Sequence, residues 1–189
     1  MALRTFLALE IDEATRDALL KVQGSAGAGG AKINWVERQN LHVTMNFLGD
    51  VADDMIAKVC EIAAAVAADF EPFDFEVRGA VCVPPKGRQL RMIWANVDEP
   101  TGTLGRLYDG LATAFEGLGF RQEERAFKPH ITLARVKYAP NADALRQAVE
   151  QLRETGFGQQ HADELVVFSS RLTPDGPAYT AIAKVPLGG

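Results

Sequence analysis

The chain has 189 residues, with 20 Lys+Arg against 25 Asp+Glu, three His and two Cys. At 47% hydrophobic and 24% charged it is too apolar for disorder, and its length suits one ordinary domain or two small lobes sharing a core. A net charge of −5 argues against broad binding to duplex nucleic acid or to an anionic membrane, and leaves room for a local phosphate site.

The segment Leu3 to Ile11 reads as a strand, and Asp12 caps an amphipathic run ending near Val22. No cleavage-site pattern follows the N-terminus, and no apolar run reaches the roughly 18 residues of a membrane span. Gly24 to Gly30 lacks the Gly-Lys-Ser/Thr ending of a phosphate loop and reads as a surface loop. Ile33 to Val36 and Leu41 to Leu48 are the next strands. Gly49-Asp50 is expected to turn the chain into a helix carrying Val51, Met55, Val59, Ile62 and Val66 on one face. Phe73 to Val77 alternates as a strand does, and Ala80 to Val83 extends it past Gly79. After the loop 84–88 come a strand over 91–97, a helix from Leu104 to Leu118 stopping at Gly119, a strand over 128–136 and a helix over 142–154. Strands near 164–169 and 178–185 close the chain. Cys60 falls in a helix pattern and Cys82 in a strand pattern, without metal or redox spacing, so both read as reduced and buried in a cytoplasmic protein.

Offset by 88 residues, the second half repeats the element order of the first, with His42 falling on His130. The expectation is an α+β fold over residues 1–189, built of two pseudo-twofold-related lobes from about 1–90 and 91–189. The matched positions read His42-Val43-Thr44-Met45 and His130-Ile131-Thr132-Leu133. In a strand, His and Thr point to one face while the apolar pair anchors the other. A random His is followed by aliphatic, Thr, apolar on the order of once in a hundred times. Finding this at two of three His, in equivalent places, speaks against coincidence, and His161 has no such context.

Two imidazoles and two hydroxyls in one cleft suit acid–base chemistry on a phosphodiester. With an unperturbed pKa of roughly 6.5, one imidazole can take a proton from the attacking oxygen while the other gives one to the leaving oxygen. Thr44 and Thr132 can donate to the nonbridging oxygens, where charge accumulates. Metal binding is disfavoured, because each tetrad offers one imidazole and a neutral hydroxyl without a repeated carboxylate; no metal and no cofactor are expected.

Three segments carry a likeness to a known family: Arg4-Thr5-Phe6-Leu7-Ala8-Leu9; Trp35-Val36 with Asn40 to Gly49; and Phe127-Lys128-Pro129-His130-Ile131-Thr132-Leu133-Ala134-Arg135. On these the sequence resembles the two-histidine (2H) phosphoesterases, and within them the RNA 2′,3′-cyclic phosphodiesterases historically described as 2′-5′ RNA ligases. The resemblance implies a bilobal α+β fold with an antiparallel sheet in each lobe, helices outside and a cleft between. It further implies hydrolysis of a terminal 2′,3′-cyclic phosphate to a 2′-phosphomonoester, with His42 as general acid and His130 as general base, roles that pseudo-symmetry leaves open in the sequence itself. Reversible 2′-5′ ligation, action on another cyclic or 2′-5′ linked nucleotide, or a non-catalytic RNA-end or nucleotide binding module are the alternatives. Family members often carry a basic residue where Asn46 stands here, on the His42 face by strict alternation. The family pattern also makes Arg135 a phosphate contact, although alternation puts it on the opposite face unless a bulge turns it.

Basic residues gather in two stretches. Residues 121–137 hold Arg121, Arg125, Lys128, Arg135 and Lys137 against Glu123 and Glu124, and residues 84–92 hold Lys86, Arg88 and Arg91. Trp35, Trp94, Phe127 and Tyr138 read as core residues, with stacking on a nucleobase as the alternative. The expected partners are RNA 3′ ends or small cyclic nucleotides, met by a monomer.

Overall fold

The computed structural model describes residues 2–25, 30–87, 89–121, 126–174 and 176–188. Residues 26–29 of the expected glycine loop, and Arg88, Glu123, Glu124 and Arg125 of the basic stretches, lie outside the described residues. Among the described residues nine strands and four α-helices follow in the order β1 (Ala2–Glu10), α1 (Glu13–Ser25), β2 (Lys32–Trp35), β3 (His42–Ala52), α2 (Ile56–Ala67), β4 (Phe73–Val83), β5 (Met92–Asp98), α3 (Thr103–Glu116), β6 (His130–Tyr138), α4 (Ala142–Glu150), β7 (Gly156–Ala162), β8 (Glu164–Thr173) and β9 (Gly176–Pro186). Among the described residues no helix is long and apolar enough to cross a membrane.

The strands form one antiparallel sheet in the order β7-β4-β5-β6-β3-β1-β8-β9, with β2 also pairing β6. Its two arms meet at a single pair, Val43 on β3 opposite Ile131 on β6. Beyond it the edge of β6 is taken by β2, from Trp35 opposite Ala134 to Lys32 opposite Tyr138. One edge cannot hold two partners at the same height, so β3 departs with β1 and a cleft opens between the arms. Leu7, Leu9, Val43, Ile93, Ile131 and Val167 are fully buried in the core beneath it, together with Val59 of α2 and Leu107 and Leu111 of α3.

The arms do not coincide with residues 1–90 and 91–189. β4 pairs β5, and β8 and β9 join β1. The short spans between β4 and β5 and between β8 and β9 favour pairing of these sequence neighbours. Other expectations shift locally. Gly49-Asp50 does not turn the chain: β3 runs on to Ala52, with Gly49 at φ 74° beside a register shift opposite β1, where a side chain would be strained. Val51 therefore stays buried in the strand, and α2 begins at Ile56 after a 3-10 turn over Asp53–Met55. The helix expected over 142–154 ends at Glu150. Strand β7 carries no clean apolar alternation in Gly-Phe-Gly-Gln-Gln-His-Ala, yet buries Phe157, Gln160 and Ala162 by pairing β4.

Candidate active site

Strands β3 and β6 share one burial sequence from their histidines onward: half-buried, buried, half-buried, buried, buried, exposed. Strict alternation would give every second residue to the cleft. Instead each strand carries a bulge at the fourth position. Opposite β1 the register jumps from Ala8–Thr44 to Leu7–Asn46, and opposite β5 from Trp94–Thr132 to Ile93–Ala134. Met45 and Leu133 are the extra residues, and the following side chains swap faces. Asn46 is thereby turned inward and buried, off the His42 face on which alternation had placed it, while Phe47 comes to the cleft. The same device turns Arg135 into the cleft beside Thr132.

At the Val43–Ile131 rung, antiparallel pairing sets His42 beside Thr132 and Thr44 beside His130. Side chains directly opposite stand about 5 Å apart and diagonal ones about 7–8 Å, so the two imidazoles are diagonal neighbours on one face. Each ring is fixed in the same way. His42 Nδ1 lies 2.8 Å from the Asn40 carbonyl oxygen, and His130 Nδ1 lies 2.7 Å from that of Lys128. A carbonyl only accepts, so Nδ1 carries the hydrogen in both rings and Nε2 is left for chemistry. His42 Nε2 lies 2.9 Å from Thr44 Oγ1, which donates to it when the ring is neutral.

The surroundings of the two rings differ. His42 stacks on Phe6 at 5.0 Å and meets Tyr179 edge-on at 5.5 Å, with Phe168 behind at 6.4 Å. This burial pushes its pKa from 6.5 to about 4, assisted by the charges of Arg16 and His130 and opposed by the Asn40 carbonyl and Glu10. His42 is therefore neutral at neutral pH when the cleft is empty. His130 lies on the indole of Trp94, ring centroids 3.7 Å apart.

The cleft encloses about 660 Å³ and is lined by His42, Thr44, Thr132 and Arg135, with Arg4, Phe6, Phe47, Trp35, Ser170, Leu172 and Tyr179 among the remainder. Burial also pushes the Tyr179 phenol up, against the opposing charges of Arg135 and Arg4. Behind His42, the buried Arg16 donates from Nε to the Ile11 carbonyl at 3.0 Å and from Nη1 to the Arg38 carbonyl at 2.9 Å. It thereby holds the 3-10 turn Arg38–Asn40, whose last carbonyl orients His42. Among the described residues no group of three or more His, Cys, Asp or Glu could hold a metal ion.

Of the four aromatic residues read as core, Trp35 lines the cleft, Trp94 supports His130, Phe127 stacks on Tyr108 at 4.1 Å, and Tyr138 is exposed. His161 lies outside the site, paired with Asp74 at 2.6 Å. Sequence reasoning missed Arg4, Phe6, Phe47, Arg16 and Tyr179. Phe6 had a signal: at the same offset of 88 it falls on Trp94, and each ring underlies one histidine. Phe47 likewise falls on Arg135.

The fold and the paired imidazoles define a two-histidine phosphoesterase. The family description "2′-5′ RNA ligase superfamily" matches residues 12–171, and the chain belongs to that superfamily. A Methanothermobacter thermautotrophicus protein named RNA 2′,3′-cyclic phosphodiesterase is 35% identical over 180 residues, covering 95% of this chain and 96% of that one. A Thermotoga maritima protein of the same name is 32% identical over 180 residues, covering 95% and 93%. The solved structure of TT0787 from Thermus thermophilus superposes with a TM-score of 0.82 at 28% identity over 98% of each chain. LigT of E. coli, solved in complex with 3′-AMP, shares the fold with a TM-score of 0.78 at 21% identity over 100% of each chain.

Proposed function

We propose that this protein hydrolyses RNA 2′,3′-cyclic phosphodiesters to 2′-phosphomonoesters, with His42 and His130 as the acid–base pair. The observation that carries this is the paired geometry: two imidazoles on one face at the single rung joining the sheet's arms, each with Nδ1 tied to the carbonyl two residues earlier. The names of the relatives that match nearly the whole chain support the substrate class. Thr44, Thr132 and Arg135 hold the nonbridging oxygens, His130 takes a proton from water at Nε2, and His42 delivers one to the departing 3′ oxygen. Because His42 is neutral in the empty cleft, this division requires the bound phosphodiester's negative charge to draw a proton onto it. The protein acts on RNA ends or small cyclic nucleotides, as a cytoplasmic monomer and without a metal.

The test is hydrolysis of a nucleoside 2′,3′-cyclic phosphate by the wild type and by folded His42→Ala and His130→Ala variants. Each substitution is expected to lower kcat by at least about 100-fold, in line with loss of a positioned proton-transfer group. Intact turnover in either variant would refute the mechanism. Tight binding of a 2′-phosphate without turnover by the wild type would instead mark a binding module.

A further inference from the structure

Arg135 is turned into the cleft by the bulge at Leu133, and the equivalent bulge on β3 puts Phe47 at the matching place. A pseudo-twofold phosphate site therefore lacks a cation on its β3 side. Strand β1 supplies one. The Arg4 guanidinium carbon lies 4.8 Å over the centre of the Phe47 ring, and Arg4 lines the same cleft.

Three further observations bear on this arginine. Among the described residues neither Arg4 nor Arg135 makes a hydrogen bond or ion pair to the protein, whereas Arg16, Arg38, Arg78, Arg146 and Arg153 are each paired. Arg4 stays unpaired although Asp50 is its partner residue in the β1–β3 ladder. Both guanidiniums also act on one phenol, that of Tyr179, so their fields converge across the cleft. Two unpaired forks on opposite walls match a phosphate with two charged nonbridging oxygens.

We propose that Arg4, held on the Phe47 ring, is the second guanidinium of the phosphate site and contacts the reacting phosphodiester opposite Arg135. This rests on the phosphodiesterase reading given above. The ring holds the side chain by cation–π attraction, so less side-chain freedom remains to be lost when the anion arrives. The contact strengthens as charge builds on the nonbridging oxygens, which makes it a catalytic contact as well as a binding one.

The experiment compares wild type with Arg4→Gln, Arg4→Lys and Phe47→Leu on a mononucleoside 2′,3′-cyclic phosphate and on a trinucleotide ending in one. Binding of inorganic phosphate is followed in parallel by calorimetry. Arg4 is exposed, so the variants are expected to melt as the wild type does. Arg4→Gln is expected to lower kcat/KM on both substrates about 10- to 100-fold and to weaken phosphate binding, consistent with loss of a charge-assisted hydrogen bond. Arg4→Lys should recover part of the loss, and Phe47→Leu should lose a few-fold. A defect confined to the trinucleotide would mean that Arg4 holds an upstream phosphate, and would overturn the proposal. Equal kinetics and equal phosphate binding in Arg4→Gln would overturn it as well. If the wild type hydrolyses no cyclic phosphate, the phosphodiesterase reading fails, and phosphate binding alone still decides the role of Arg4.

Discussion

The two histidines have the same tautomer and different surroundings, and that difference sets the pH behaviour. Catalysis by the pair requires one proton shared between two imidazoles, whichever ring holds it at a given step. With the His42 pKa at about 4 in the empty protein, the acid limb of kcat/KM should lie near pH 4. The limb of kcat should lie higher, because a bound phosphodiester anion favours the imidazolium. Arg16 is one of the charges that disfavour a proton on His42. Arg16→Met should therefore move the acid limb of kcat/KM upward, whereas Arg16→Lys should keep it near the wild-type position. A titration of the His42 ring by NMR checks the sign: a lower pKa in Arg16→Met would contradict the electrostatics. The same probe with phosphate bound tests the acid role, since a ring still titrating at about 4 in that complex could not be the acid. At this scale the spacing in the sequence pointed to His42, His130, Thr44 and Thr132, which the fold brings to one rung. Phe6 and Tyr179 escaped, because an apolar residue in a strand carries no sign that it encloses an imidazole.

Among elements, the two bulges position more of the site than any single side chain. Alternation predicted the wrong face for both Asn46 and Arg135, because a one-residue register shift is invisible to a period-two pattern. The strand orders of the two arms were also hidden, since element repetition does not say which neighbour a strand pairs with. A third irregularity lies at the far side of the sheet and tests packing separately from chemistry. Gly79 sits in β4 at φ 73°, and a Cβ there would come 2.3 Å from the Arg153 carbonyl oxygen just beyond α4. Gly79→Ala combines an unfavourable backbone conformation with a clash against backbone, a cost of about 2 kcal/mol or more. For a chain of this size that corresponds to a Tm lower by roughly 4–8 °C, read by calorimetry. Well below the melting temperature the kcat should be unchanged, because the cleft lining does not include this region. A Tm within a degree of wild type would show that the helix end gives way.

Across the whole molecule, a mildly acidic chain carries a locally cationic cleft, because Arg4 and Arg135 face it while Arg38 and Arg78 are paired with carboxylates elsewhere. The architecture follows from competition for one strand edge: β2 displaces β3 from β6 after a single rung, and the resulting fork holds the paired histidine–threonine tetrads. The α+β class and the pairing of the tetrads were legible from residue order. The fork was not, since it depends on which of two strands wins an edge. The most direct test of the account is to incubate the protein, in the presence of EDTA, with an oligoribonucleotide ending in a 2′,3′-cyclic phosphate and to identify the product by 31P NMR. A 2′-phosphomonoester formed at the same rate with and without EDTA is the predicted result. A 3′-phosphate, a joined 2′-5′ product, or turnover abolished by EDTA would contradict it.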